Sequence, residues 1–156
     1  MTDDEPLTTL LLEEVNLVFS SFDHETAWLV GTQMRNAALG AELPLAIEIR
    51  LHGQRLFHAA LPGSSANNDL WLGRKSAVVD LFGHSSYYVG CLTRAEGNQD
   101  FNVAHRLDPA NFAAHGGAFP IFLLGTGCVG TVAVSGLPQV EDHRFVVAQL
   151  KKFLTP

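Results

Sequence analysis

Charge is what this chain has least of. Only 17% of its 156 residues are Asp, Glu, Lys or Arg, against about 25% in an ordinary soluble domain. Either an unusually large share of the chain is buried, or part of its surface is covered by copies of itself. Depletion of charge marks interface cores, which favours a homo-oligomer, a dimer or larger. Positive charge is scarcer still, with 10 Lys and Arg against 16 Asp and Glu and a net charge of −6. A nucleic-acid partner needs a basic footprint to neutralise phosphates, so that class is disfavoured. Cysteine is limited to Cys91 and Cys128. They form no CxxC pair and read as two small buried hydrophobes. No apolar run approaches the roughly 18 residues of a membrane span. The start, MTDDEPL, lacks the basic region of a signal peptide. A cytoplasmic protein without membrane contact is the expectation.

Catalytic fingerprints are also missing. The chain has no GxSxG, Walker A, HExxH or GxGxxG, and no nucleophile and base can be paired from spacing. Whether it is an enzyme stays open on this ground. GTGCVG, at 125–130, echoes a dinucleotide loop but sits between two expected strands, which makes it a turn. The seven histidines lack the spacing of a zinc site, so no metal is expected. Each reads first as a surface or hydrogen-bonded packing residue, although one exposed imidazole would suffice for a haem iron.

What is present is a regular alternation of elements. Residues 1–16 form an acidic segment carrying Asp3, Asp4, Glu5, Glu13 and Glu14, with a short helix expected over Leu7–Glu14. Residues 17–156 read as one domain. Leu17–Phe22 is strand material, and Asp23 is a good N-cap for a helix over His24–Ala41, where Ala27, Val30, Met34 and Ala38 make an apolar stripe. Leu45–Arg50 and Arg55–Leu61 flank a turn and make a β-hairpin. Asn67, Asn68 or Asp69 caps a helix through Phe82, its expected apolar face formed by Leu70, Trp71, Ala77, Val78, Leu81 and Phe82. Ser85 or Ser86 caps another helix to Ala95. Residues 97–114 read as irregular, with a helical turn expected at Asp108-Pro109. Phe119–Leu124 and Cys128–Val134 make a second hairpin, and a last helix runs to Leu154. Two hairpins impose antiparallel pairing, so the fold class is α+β.

Two places suggest ligand chemistry. In His115-Gly116-Gly117-Ala118-Phe119, paired glycines can leave backbone N–H groups unshielded for a carboxylate or phosphate. His115 would add a polar handle and Phe119 a stacking face. The competing reading is a tight lead-in to a strand, where glycine clears a neighbouring helix. Arg74 and Lys75, on the Trp71 helix, are either solvated charges with snorkelling stems or contacts for an anion or for an acidic surface of another subunit.

The blocks LFHAALPG (56–63), WLGRKSAVVDLFGHSSYYVG (71–90), LDPANFAAHGGAFPI (107–121) and GTGCVGTVAVSGLPQVEDH (125–143) together resemble a small family of the haem-degrading-domain superfamily, with its GlcG-like and HbpS-like members. The resemblance covers Leu17 to Leu154. It implies a profilin-like fold, with a five-stranded antiparallel sheet and helices on its faces. It implies haem as a ligand of some relatives, and a role as an oligomeric scaffold for others. Similar proteins carry a further basic residue after the Arg-Lys pair, where Ser76 and Ala77 stand here. The expected function is thus a homo-oligomeric protein binding haem or another small anionic or aromatic ligand through His115, Gly116, Gly117, Phe119, Arg74 and Lys75. The alternative is an oligomeric interaction protein with no small-molecule chemistry.

Overall fold

A computed structural model describes residues 4–156, so Asp3 lies outside the described part. The helices are α1 (Leu7–Asn16), α2 (His24–Gly40), α3 (Ala66–Phe82), α4 (Ser86–Ala95), α5 (Phe101–His105) and α6 (Gln139–Leu154). The strands are β1 (Val18–Phe19), β2 (Ala46–Leu51), β3 (Gln54–Ala60), β4 (Ala118–Leu123) and β5 (Gly127–Ser135). They form one five-stranded sheet in the order β1-β4-β5-β2-β3. Both hairpins form, and β2 pairs antiparallel with β5 between them. The expected all-antiparallel sheet needs one correction, because β1 runs parallel to β4. No tight turn joins those two strands, so nothing local imposes antiparallel pairing.

The pleat divides the core. Ala46, Ala118 and Ala133 face α3, where Leu72 and Val79 fit against them. Their sequence neighbours Ile47, Phe119 and Val134 point the other way, into the larger core under α2 and α6. Small residues on one face let α3 lie close, while large ones fill the other. Asp23 caps α2 as expected, its side chain accepting from the Thr26 N–H at 2.8 Å.

Three local expectations are corrected. α3 begins after Ser65, a few residues early, with the Asn68 side chain accepting from the Ser65 N–H. The stretch expected to be irregular also holds a short helix, α5, capped by Asp100 through the N–H groups of Asn102 and Val103. The helical turn expected at Asp108-Pro109 does form, with the Asp108 carbonyl accepting from the Asn111 and Phe112 N–H groups and its side chain from the Ala110 N–H. Cys91 is buried but Cys128 is exposed, at the start of the strand after the second hairpin's turn.

The face of α3 also differs from its pattern. Leu72, Lys75, Ser76, Val78 and Val79 are buried, whereas Leu70 and Leu81 are 67% and 55% exposed and Trp71 is half-buried. Leu72→Ala should therefore cost about 2–5 kcal/mol, and Trp71→Ala only about 1 kcal/mol. Urea denaturation of both variants checks this, and a larger loss at Trp71 would reverse the assignment of the face.

The described part of the acidic segment, residues 4–16, is tied to the domain. Glu13 accepts from His143 and Arg144, and Glu14 from the Ser85 N–H beside its contact with His84. Burial pushes the Glu13 carboxyl up, but its hydrogen bonds to His143 and Arg144 outweigh that and hold it below its ordinary value.

Candidate functional site

At the end of the sheet where β4 enters and β5 leaves, α3 and the first turn of α6 meet across a cleft of about 280 Å³. Its floor is an ion pair. Lys75 and Asp142 have side chains 4% and 2% exposed, with Nζ 3.0 Å from Oδ2. Nζ also donates to the Val134 carbonyl at 3.1 Å, and Oδ1 accepts from the Leu137 N–H. Each charge sits on the buried stripe of its own helix, Lys75 between Leu72 and Val79, Asp142 one turn before Val146. Burial lowers the basicity of the amine and raises that of the carboxylate, against the attraction between them. Both shifts act to narrow the gap between the two groups.

Gly117 makes this pair possible. Its φ is +134°, and a Cβ there would lie 2.6 Å from Lys75 Nζ and 2.5 Å from the Val134 oxygen. Gly116 clears the Gln139 carbonyl at the start of α6, which a Cβ would approach to 2.2 Å. Both glycines are buried. The Gly116 N–H donates to Gln139 Oε1 at 3.1 Å, so close packing against a helix accounts for this glycine.

The rim is rich in donors. Asn68 and Gln139 both line the cleft, and each has its amide oxygen engaged, by the N–H of Ser65 and of Gly116. That fixes their NH₂ groups as the remaining polar ends. The Asn68 NH₂ donates to Ser135 Oγ at 3.2 Å. His115 is exposed at the rim, its ring 5.2 Å from that of Trp71. Partial desolvation against the cleft wall, then the nearby Lys75 and Arg74 charges, lowers its basicity. Arg74 turns away from Lys75, lies over the Trp71 ring at 4.2 Å and donates to the Pro109 carbonyl.

Of the residues singled out in the sequence, His115 and Lys75 line this cleft. Gly116 and Gly117 pack beside it, and Arg74 braces its Trp71 wall. Phe119 is elsewhere. It is fully buried among the residues under α2 and α6, because the pleat sends it to the face opposite Ala118. Asp142, Gln139, Asn68 and Ser135 were not anticipated. A signal existed for Asp142, since a carboxylate four and eight residues before Val146 and Leu150 falls on an apolar stripe and needs a partner.

Comparison with known proteins places the chain. The profile of HbpS-like haem-degrading proteins matches residues 22–151. The chain belongs to this HbpS-like family. A UPF0303 protein of Streptomyces avermitilis is 52% identical over 143 residues, covering 92% of this chain and 87% of the relative. The crystal structure of Ybr137w superposes with a TM-score of 0.87 at 35% identity, over 95% of this chain and 87% of that one. A PduOC–haem complex shares the fold, with a TM-score of 0.67 at 13% identity over 83% and 94% of the two chains. Membership in the HbpS-like family agrees with the α+β, five-stranded architecture. Among the described residues, no helix is long and apolar enough to cross a membrane.

Proposed function

We propose that the cleft above Lys75 and Asp142 binds a small anion, a carboxylate or a phosphate-like group. The observation that carries this reading is the fixed orientation of Asn68 and Gln139, whose anchored oxygens leave donors at the rim beside Ser135, His115 and Lys75. Asp142, the one carboxylate lining the cleft, has both oxygens engaged within the protein. An entering anion would thus meet donors and little unpaired negative charge.

Melting the protein in sulfate, pyruvate or neutral acetamide tests this. The two anions should raise Tm, by about 2–4 °C per kcal/mol of linked binding energy at this chain length, and acetamide should not. Equal behaviour of all three solutes would overturn the reading.

Haem is the competing ligand, favoured by the family's description and by the haem complex of a fold neighbour. The lining of this cleft favours a small anion over it, since its walls are polar apart from Trp71 and Leu137. Titration with haemin should give no saturable Soret change that depends on His115. A band present in the parent and lost in His115→Ala would reinstate haem.

We also propose that the protein is cytoplasmic and works as a homo-oligomer. The low charged fraction supports self-association, as do exposed Trp28 and Leu29 on α2. Light scattering should give a mass of at least twice 16.9 kDa, and a monomer at all concentrations would contradict this.

A further inference from the structure

We infer that Lys75 is a reactive amine that condenses with a small carbonyl compound bearing a carboxylate, the chemical class of the 2-oxo acids. This rests on the anion-site reading and names the ligand class for it. Lys75 borders the cleft from its floor, and Nζ has two acceptors, the Val134 carbonyl and Asp142 Oδ2. An ammonium has three N–H donors, so a third valence remains beyond those two bonds. Gly117 packs against the nitrogen from the side away from the cleft's lining, where even a Cβ would lie 2.6 Å from it, so the cleft is the side from which a small molecule reaches Nζ. Deep burial weakens the hold of the ammonium on its proton, as in lysines that form Schiff bases. A carboxylate at 3.0 Å stands ready to take that proton.

The rest of the cleft suits the other end of such a molecule. The NH₂ groups of Asn68 and Gln139 and the imidazole of His115 are placed to receive a carboxylate while the adjacent carbonyl reaches the floor. A larger or apolar carbonyl compound would find neither the volume nor the walls.

The step balances within the site. Asp142 takes a proton from the ammonium, the freed amine attacks the carbonyl carbon, and the carbonyl π pair moves to oxygen. Asp142 passes its proton to that oxygen, then takes a second from nitrogen and delivers it to the same oxygen. The C–O bond breaks, water leaves, and the nitrogen lone pair closes the C=N bond. Both hydrogens of the water come from Nζ. Asp142 ends as the carboxylate it began, paired with the new iminium, and no oxidant or reductant is consumed.

The composition makes the experiment clean. The chain has only three lysines, Lys75, Lys151 and Lys152, and the last two are exposed at the end of α6. The whole protein is incubated with pyruvate and cyanoborohydride, then digested and mapped by mass spectrometry. Lys75 should carry several-fold more of the reduced adduct than Lys151 or Lys152. Sulfate should suppress labelling at Lys75 and leave the other two unchanged. Asp142→Asn, if folded by circular dichroism, should slow labelling at Lys75 only. The mapping of the parent decides the question without any variant. Labelling confined to Lys151, Lys152 and the N-terminus would overturn the proposal. If pyruvate raises Tm as sulfate does while Lys75 stays unlabelled, the amine chemistry fails and the anion site stands. With no stabilisation and no label, both fail.

Discussion

Gly117→Val should be among the most damaging single changes in the domain, costing about 2–6 kcal/mol in chemical denaturation. Two effects add. A φ of +134° is strained for any side chain, at about 1–3 kcal/mol. Overpacking adds about 1–3 kcal/mol more, because the first carbon alone meets Lys75 Nζ and the Val134 carbonyl below 3 Å. Gly53→Ala separates these effects. Gly53 also has a positive φ, +80°, but a Cβ there meets nothing within 4 Å, so only the backbone cost of about 1–2 kcal/mol applies. Comparable losses at the two positions would mean that crowding at the lysine contributes nothing.

The second large effect concerns the ion pair itself. Lys75→Met strands the Asp142 carboxylate, and Asp142→Leu strands the ammonium, each in a site at most 4% exposed. Leaving one buried charge uncompensated costs about 3–5 kcal/mol. The double variant removes both charges and should recover most of that loss, because two apolar chains tolerate the same surroundings. A double-mutant cycle in urea reads the coupling directly. Additive losses would show that the two groups do not depend on each other. Restored stability without anion binding in the double variant would place the pair in function rather than in folding.

Much of the fold was legible because its signals are local. Asp23 and the stripe from Ala27 to Ala38 specify α2 within one stretch of chain, and the two hairpins announce themselves by their turns. β1 was legible as a strand but not in its direction, since its partner lies some hundred residues on, at Phe122 and Leu123. α3 departs from its hydrophobic pattern for a physical reason. Its buried stripe contains a lysine and a serine, while Leu70 and Leu81 lie outside it, so hydrophobicity alone selects the wrong face. Lys75 belongs on the buried face only because Asp142 meets it from 67 positions away. The site shared that fate. His115 and Lys75 could be singled out by type and neighbours, whereas Asn68 and Gln139 are ordinary amides until their oxygens are seen to be engaged. Phe119 lies close to His115 in sequence, but the pleat points it into the opposite core.

The most direct measurement is the titration of His115 followed by NMR of its ring, with and without saturating sulfate. In the free protein, partial desolvation and the nearby Lys75 and Arg74 charges lower its pKa. An anion bound between His115 and Lys75 favours the imidazolium and must raise that pKa. By linkage, sulfate then binds more tightly as pH falls, and His115→Ala loses that pH dependence. The account predicts an upward shift at His115 on adding sulfate, with the other six histidines unmoved. A His115 titration unchanged by sulfate, or one displaced equally with all the others, would contradict an anion site in this cleft.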